Sequence, residues 1–122
     1  MKSLSIINDK HLLSVLLDVK NETKKLFGDR LRQLILYGSY AINEQDTNSE
    51  IDIMILVDES EKKLRKYKKI IGDIMVELSM KHDKLISLVE VPYNRYEKYL
   101  NVLPFYRNVY NNGIEIYERN KN

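Results

Sequence analysis

Residues 50–58 read Glu50-Ile51-Asp52-Ile53-Met54-Ile55-Leu56-Val57-Asp58. On a β-strand alternate residues share a face. Ile51, Ile53, Ile55 and Val57 make one face, wholly apolar and β-branched. Glu50, Asp52, Met54, Leu56 and Asp58 make the other, acidic at its start and apolar in its middle. A strand apolar on both sides sits inside a sheet covered by helices. The two leading carboxylates then lie where the strand enters the sheet, about 6.5 Å apart at their α-carbons.

Ten residues separate Glu50 from the upstream pair Gly38-Ser39. The pair ends a second apolar run, Leu31 to Tyr37, which reads as a buried strand. Gly38 lets the backbone approach a ligand closely. Ser39, at the start of a short helix, adds a hydroxyl to free backbone N–H groups, a cradle for phosphate. Glu50 and Asp52 repel each other as bare anions, and a divalent cation resolves that repulsion. Mg²⁺ suits such a pair, because it takes one or two carboxylates plus substrate phosphates. The cradle meets the carboxylates only if the end of the first strand lies beside the start of the second. The spacing therefore predicts that these two strands run antiparallel.

Outside this centre the pattern alternates helix and strand. Asp9 caps a helix to Phe27, with Leu12, Leu13, Leu16, Leu17 and Val19 on one face and Gly28 as its stop. Residues 43–49 are a polar loop. Ser60 caps a long helix to Lys81, with Leu64, Tyr67, Ile71, Ile74, Met75 and Leu78 as its stripe. Leu85–Val91 is a third strand, ended by Pro92. A short helix over Asn94–Val102, a second one begun by Pro104 and stopped by Gly113, and a last strand Ile114–Tyr117 complete the order. This is an α/β chain with a small mixed sheet of three or four strands packed by helices. Residues 1–122 are expected to form a single domain, given their number.

Composition removes several functions. The chain has no Cys, which excludes disulfides, thiolate zinc sites and cysteine nucleophiles. Twenty basic residues against 18 acidic ones leave a net charge of +2, too balanced to mark a nucleic-acid or membrane protein. No apolar run is long enough to span a bilayer, and MKSLSIINDK lacks a signal-peptide core. A cytoplasmic protein without membrane association is expected. His11 and His82 read as surface residues, and Asp58 as the strand's end or the next helix's cap.

Gly38-Ser39, ten residues, then Glu50-Ile51-Asp52 preceded by Ser49 resembles the minimal nucleotidyltransferase family of the DNA polymerase β-like superfamily. The family's pattern is Gly-Ser, ten residues, Asp-x-Asp; Glu50 stands where the family has its first Asp. The stretch Pro104-Phe105-Tyr106-Arg107-Asn108-Val109 with Gly113-Ile114 and Tyr117 is similar to the family's C-terminal end. The resemblance implies a polymerase-β-like fold and transfer of AMP from ATP, with Mg²⁺, to an acceptor hydroxyl. It places Glu50 and Asp52 as catalytic metal ligands, and Gly38 and Ser39 as the nucleotide-binding turn. Small members of the family are antitoxins that adenylylate a tyrosine of a HEPN-domain ribonuclease toxin. The resemblance thus implies ATP and a HEPN toxin as partners; oligomerisation is left open.

Family members commonly draw a third carboxylate from a later strand. Here Ser87 holds that position, and Glu90 lies about 10 Å further along and on the opposite face. A catalytically degenerate module that neutralises its partner by contact is the alternative reading. Lys62, Lys63, Arg65, Lys66, Lys68 and Lys69 put six cations in eight residues. They read as a solvated helix face, or as an RNA contact on a weaker argument. Tyr93, Tyr96, Tyr99, Tyr106 and Tyr110 read as a packing layer, with a partner interface as the alternative.

Overall fold

The computed structural model describes residues 1–120. Its strands are β1 (Lys2–Ser3), β2 (Leu31–Tyr37), β3 (Ile51–Val57), β4 (Ile86–Pro92) and β5 (Ile114–Glu118). Its α-helices are α1 (Lys10–Phe27), α2 (Glu61–Leu64), α3 (Lys68–His82), α4 (Tyr93–Tyr99) and α5 (Pro104–Asn112). The strands form one sheet in the order β1-β5-β2-β3-β4. β2 runs antiparallel to both β3 and β5, while β3–β4 and β1–β5 are parallel. The antiparallel β2–β3 pair is the one the motif spacing required.

The two faces of β3 reach two different cores. Ile51, Ile53, Ile55 and Val57 pack with Leu12, Val15, Leu16 and Val19 of α1 and Ile71 and Leu78 of α3. Met54 and Leu56 pack on the other side with Ile35, Val91, Tyr96, Tyr106 and Val109, beneath α4 and α5. Burial of both sides drives water from a large apolar area, which is the main stabilising term. α3 is the crossover that lets β4 return parallel to β3.

Four local expectations are corrected. A short strand at Lys2–Ser3 brings the sheet to five strands, where three or four were expected. A two-residue strand is too short to show a period of two. The helix expected from Ser60 to Lys81 is broken: α2 gives way to a 3-10 turn at Arg65–Tyr67 before α3 begins. Like charges at i,i+4, Lys62 with Lys66 and Arg65 with Lys69, weaken a helix there. The tighter turn brings the Tyr67 ring to 4.9 Å from that of Phe27, and its hydroxyl accepts from Arg30 at 3.1 Å. Leu17 is 56% exposed rather than on the buried stripe of α1, because the helix turns it past the sheet.

His82 is the fourth. It is buried, not a surface residue, and its Nε2 lies 2.7 Å from Asp18 Oδ2. That contact joins the end of α3 to the middle of α1. Asp18 also takes an ion pair from Lys81 at 2.8 Å. His11 is exposed, as expected.

Candidate active site

β2 and β3 meet head to tail at the site. Tyr37, the last residue of β2, pairs across the ladder with Asp52, the second residue of β3. Gly38 follows with φ 74° and ψ −156°, a region that essentially only glycine occupies. A methyl group on Gly38 would overlap the Asp52 carboxylate. Gly38 therefore serves close approach: its bare α-carbon lets the turn lie against the acid. Ser39 opens the 3-10 turn Ser39–Ala41, and its carbonyl accepts from the Glu44 amide at 2.9 Å. The turn is held from behind by Lys2, whose Nζ donates to the Ala41 carbonyl.

Glu50 lies one residue before β3, at the end of a braced loop. The Asp46 amide donates to Ser49 Oγ at 2.9 Å, and Asp46 Oδ1 accepts from the Asn48 amide at 2.8 Å. The hydroxyl of Ser49 thus shapes the loop that delivers Glu50. Glu50 is exposed and Asp52 half-buried. The Asp52 carboxyl is pushed up to about 6, by burial first and then by the charge of Glu50 and a hydrogen bond with it. A cation between the two carboxylates would offset the charge of Glu50 on Asp52, so the pair is a ready ligand set. The donors are hard oxygens, and they fit Mg²⁺.

Ser87 stands opposite Asp52 in the parallel β3–β4 register, while Glu90 stands opposite Ile55. Alternation puts Ser87 on the face of Asp52 and Glu90 on the other. Among the described residues no group of three or more His, Cys, Asp or Glu side chains forms a metal cluster.

One neighbour escaped the sequence reading. Tyr37 shares the face of Asp52, and its phenol is pushed up to about 12 by burial and by the charges of Asp52 and Glu50. Its ring meets that of Phe105 edge-on, with centroids 5.5 Å apart at 75°. The signal in the sequence was an aromatic directly before Gly38-Ser39.

Other candidates lie elsewhere. The six cations of 62–69 are all exposed and follow the far end of β3 from Asp52. Tyr96 and Tyr106 are buried and pack edge-on at 5.6 Å, whereas Tyr99 and Tyr110 face solvent. Asp58 ends β3 and pairs with Arg119 at 2.6 Å and Arg32 at 3.4 Å; Ser60 is the cap of α2. No helix among the described residues is long and apolar enough to cross a membrane.

Comparison with known proteins agrees with this architecture. The family model described as "Polymerase beta, Nucleotidyltransferase" matches residues 19–122. The chain is 32% identical over 105 residues to "Putative protein adenylyltransferase MJ0141" of Methanocaldococcus jannaschii, covering 86% of this chain and 98% of that protein. Two solved structures share the fold at TM-score 0.52 and 19% identity. One is a toxin–antitoxin with AMP-PNP, covering 93% of this chain and 76% of its own. The other is a mutant of the MntA-HpeT toxin–antitoxin, covering 84% and 74%.

Proposed function

The chain belongs to the polymerase-β nucleotidyltransferase family, and from that premise we propose that it transfers AMP from ATP to a hydroxyl group on a protein partner, a HEPN-class toxin that it thereby silences. The observation that carries the reading is the contact of the Gly38 turn with Asp52, whose raised carboxyl is coupled to Glu50. A phosphate-binding turn pressed against paired acids is what triphosphate chemistry needs. The protein-adenylyltransferase name of the M. jannaschii relative supports AMP as the transferred group. The toxin–antitoxin assemblies of the fold neighbours support a protein acceptor.

In this mechanism Glu50 and Asp52 hold Mg²⁺, which supplies neutralising charge to the triphosphate. Gly38 and Ser39 hold the phosphate chain in line with the acceptor. The acceptor oxygen bonds to the α-phosphorus as the bond to the bridging oxygen breaks and pyrophosphate leaves. The acceptor's proton passes to water, since the face of Asp52 carries Ser87 where a third acid would take it. Most of the rate then comes from positioning and charge.

The test is AMP transfer from labelled ATP to the partner with Mg²⁺ present. Label on a partner tyrosine with the wild-type chain, and none with Asp52→Asn, is the expected result. Glu50→Asp preserves or raises the rate if Glu50 is a working ligand with one methylene too many. A second reading rests on Ser87: a chain without its third acid neutralises the toxin by contact alone. Protection of cells by Asp52→Asn, with no label transferred by any variant, would favour it.

A further inference from the structure

The triphosphate reading accounts for Gly38, Ser39, Glu50 and Asp52, and leaves the aromatic side of the site without a role. We infer that Tyr37 and Phe105 form a stacking platform for the base of the bound nucleoside triphosphate. The inference rests on the nucleotidyltransferase reading for the position of the phosphates.

Tyr37 pairs with Asp52 and leaves the sheet on the same face. Phe105 is the second residue of α5, just after Pro104 fixes the helix entry. Its ring is backed by Tyr37 at 5.5 Å and by the buried Tyr106 at 5.7 Å, and Tyr106 is itself held by Tyr96 at 5.6 Å. Phe105 is nonetheless 46% exposed. A single exposed aromatic is ordinary on a protein surface. Phe105 differs because its ring is braced from behind and stands one ring away from the paired acids. Such a wall has little to offer a phosphate, but its π-face suits a flat base. A base is tethered to the phosphates through a ribose, so it must rest beside the acids and not on them. Stacking on an aromatic ring is tolerant of base identity and grows with ring area, so the platform favours purines over pyrimidines.

The chain contains no Trp, so Phe105→Trp introduces a lone indole reporter at the platform. With Mg²⁺ present, ATP is expected to quench that emission and inorganic tripolyphosphate to leave it unchanged. In direct titrations Phe105→Ala should weaken ATP about tenfold and leave tripolyphosphate affinity unaltered. Phe105→Leu, which keeps bulk without a π-face, should lose most of the same affinity while melting like the wild type. Wild-type affinity should fall from ATP and GTP to CTP. If wild type binds tripolyphosphate as tightly as ATP, or Phe105→Ala weakens both alike, the platform is wrong and the triphosphate site stands. Binding of neither ligand overturns the nucleotide reading and the platform together.

Discussion

Ser87 and Asp52 stand side by side in the parallel ladder of β3 and β4, on one face of the sheet. A carboxylate at position 87 would therefore stand within reach of a cation bound at Asp52. Ser87→Asp is expected to raise AMP transfer by adding a metal ligand or proton acceptor. Without Mg²⁺ the same change adds a third negative charge and lowers the melting temperature. Glu90→Gln should leave transfer unchanged, since Glu90 pairs with Ile55 on the other face. A large loss of transfer in a folded Glu90→Gln protein would refute this assignment.

Gly38→Ala tests the close approach. The substitution strains the backbone by about 1–3 kcal/mol and drives a methyl into the Asp52 carboxylate. A melting temperature lower by several degrees is expected, with loss of ATP-dependent transfer. Retained activity would show that the turn need not touch the acid.

The raised Asp52 carboxyl predicts a pH dependence of the metal-free protein. Its value rises from 3.8 to about 6, so between those pH values the folded chain keeps a proton that the unfolded chain has lost. The stability due to this group is full below the unfolded value. It declines as pH rises through that window and stays low above 6. Asp52→Asn removes the charge, so the variant should be more stable than wild type at pH 7, on the order of 1–2 kcal/mol once solvent screening is allowed for, while inactive. Denaturant titrations at pH 4.5 and 7 read the effect. A variant no more stable than wild type at pH 7 would argue against the strained acid pair.

The Asp18–His82 contact predicts the opposite sign. Hydrogen bonds from Lys81 and then His82 hold the Asp18 carboxyl below its ordinary value. The stability it contributes is present above the unfolded carboxylate value near 4 and is lost as pH falls through the folded one. Asp18→Asn is expected to cost about 1–2 kcal/mol at pH 7, and to leave ATP binding intact because the pair bridges α1 and α3 on the face away from Asp52. Urea unfolding with a parallel nucleotide titration checks both halves.

What was legible in the sequence follows from pattern length. β3 showed two complete alternating faces, so its double burial follows from the residues alone, and the β2–β3 direction followed from bringing Gly38-Ser39 against Glu50 and Asp52. The register placing Ser87, not Glu90, beside Asp52 followed from counting. β1 offered two residues and no period. His82 could not be read as buried because its partner, Asp18, lies 64 positions away. The break at Arg65–Tyr67 depended on Tyr67 finding Phe27 and Arg30, again a tertiary contact. Tyr37 was hidden because an aromatic at a strand end usually reads as core.

The order of the sheet also bears on how the chain acquires its shape. β5 lies between β1 and β2, yet it is the last of the described strands to leave the ribosome. Until it arrives, the hydrogen-bonding edge of β2 is bare, and Lys2 lacks Ile114, its ladder partner 112 residues later. Pairings of such separation are slow to close, and an open edge invites strands from other chains. Any species in which β5 is displaced therefore presents the edge of β2 as a template for strands of other chains. In the folded sheet β5 closes that edge, so the C-terminal strand guards the strand that carries the Gly38 turn.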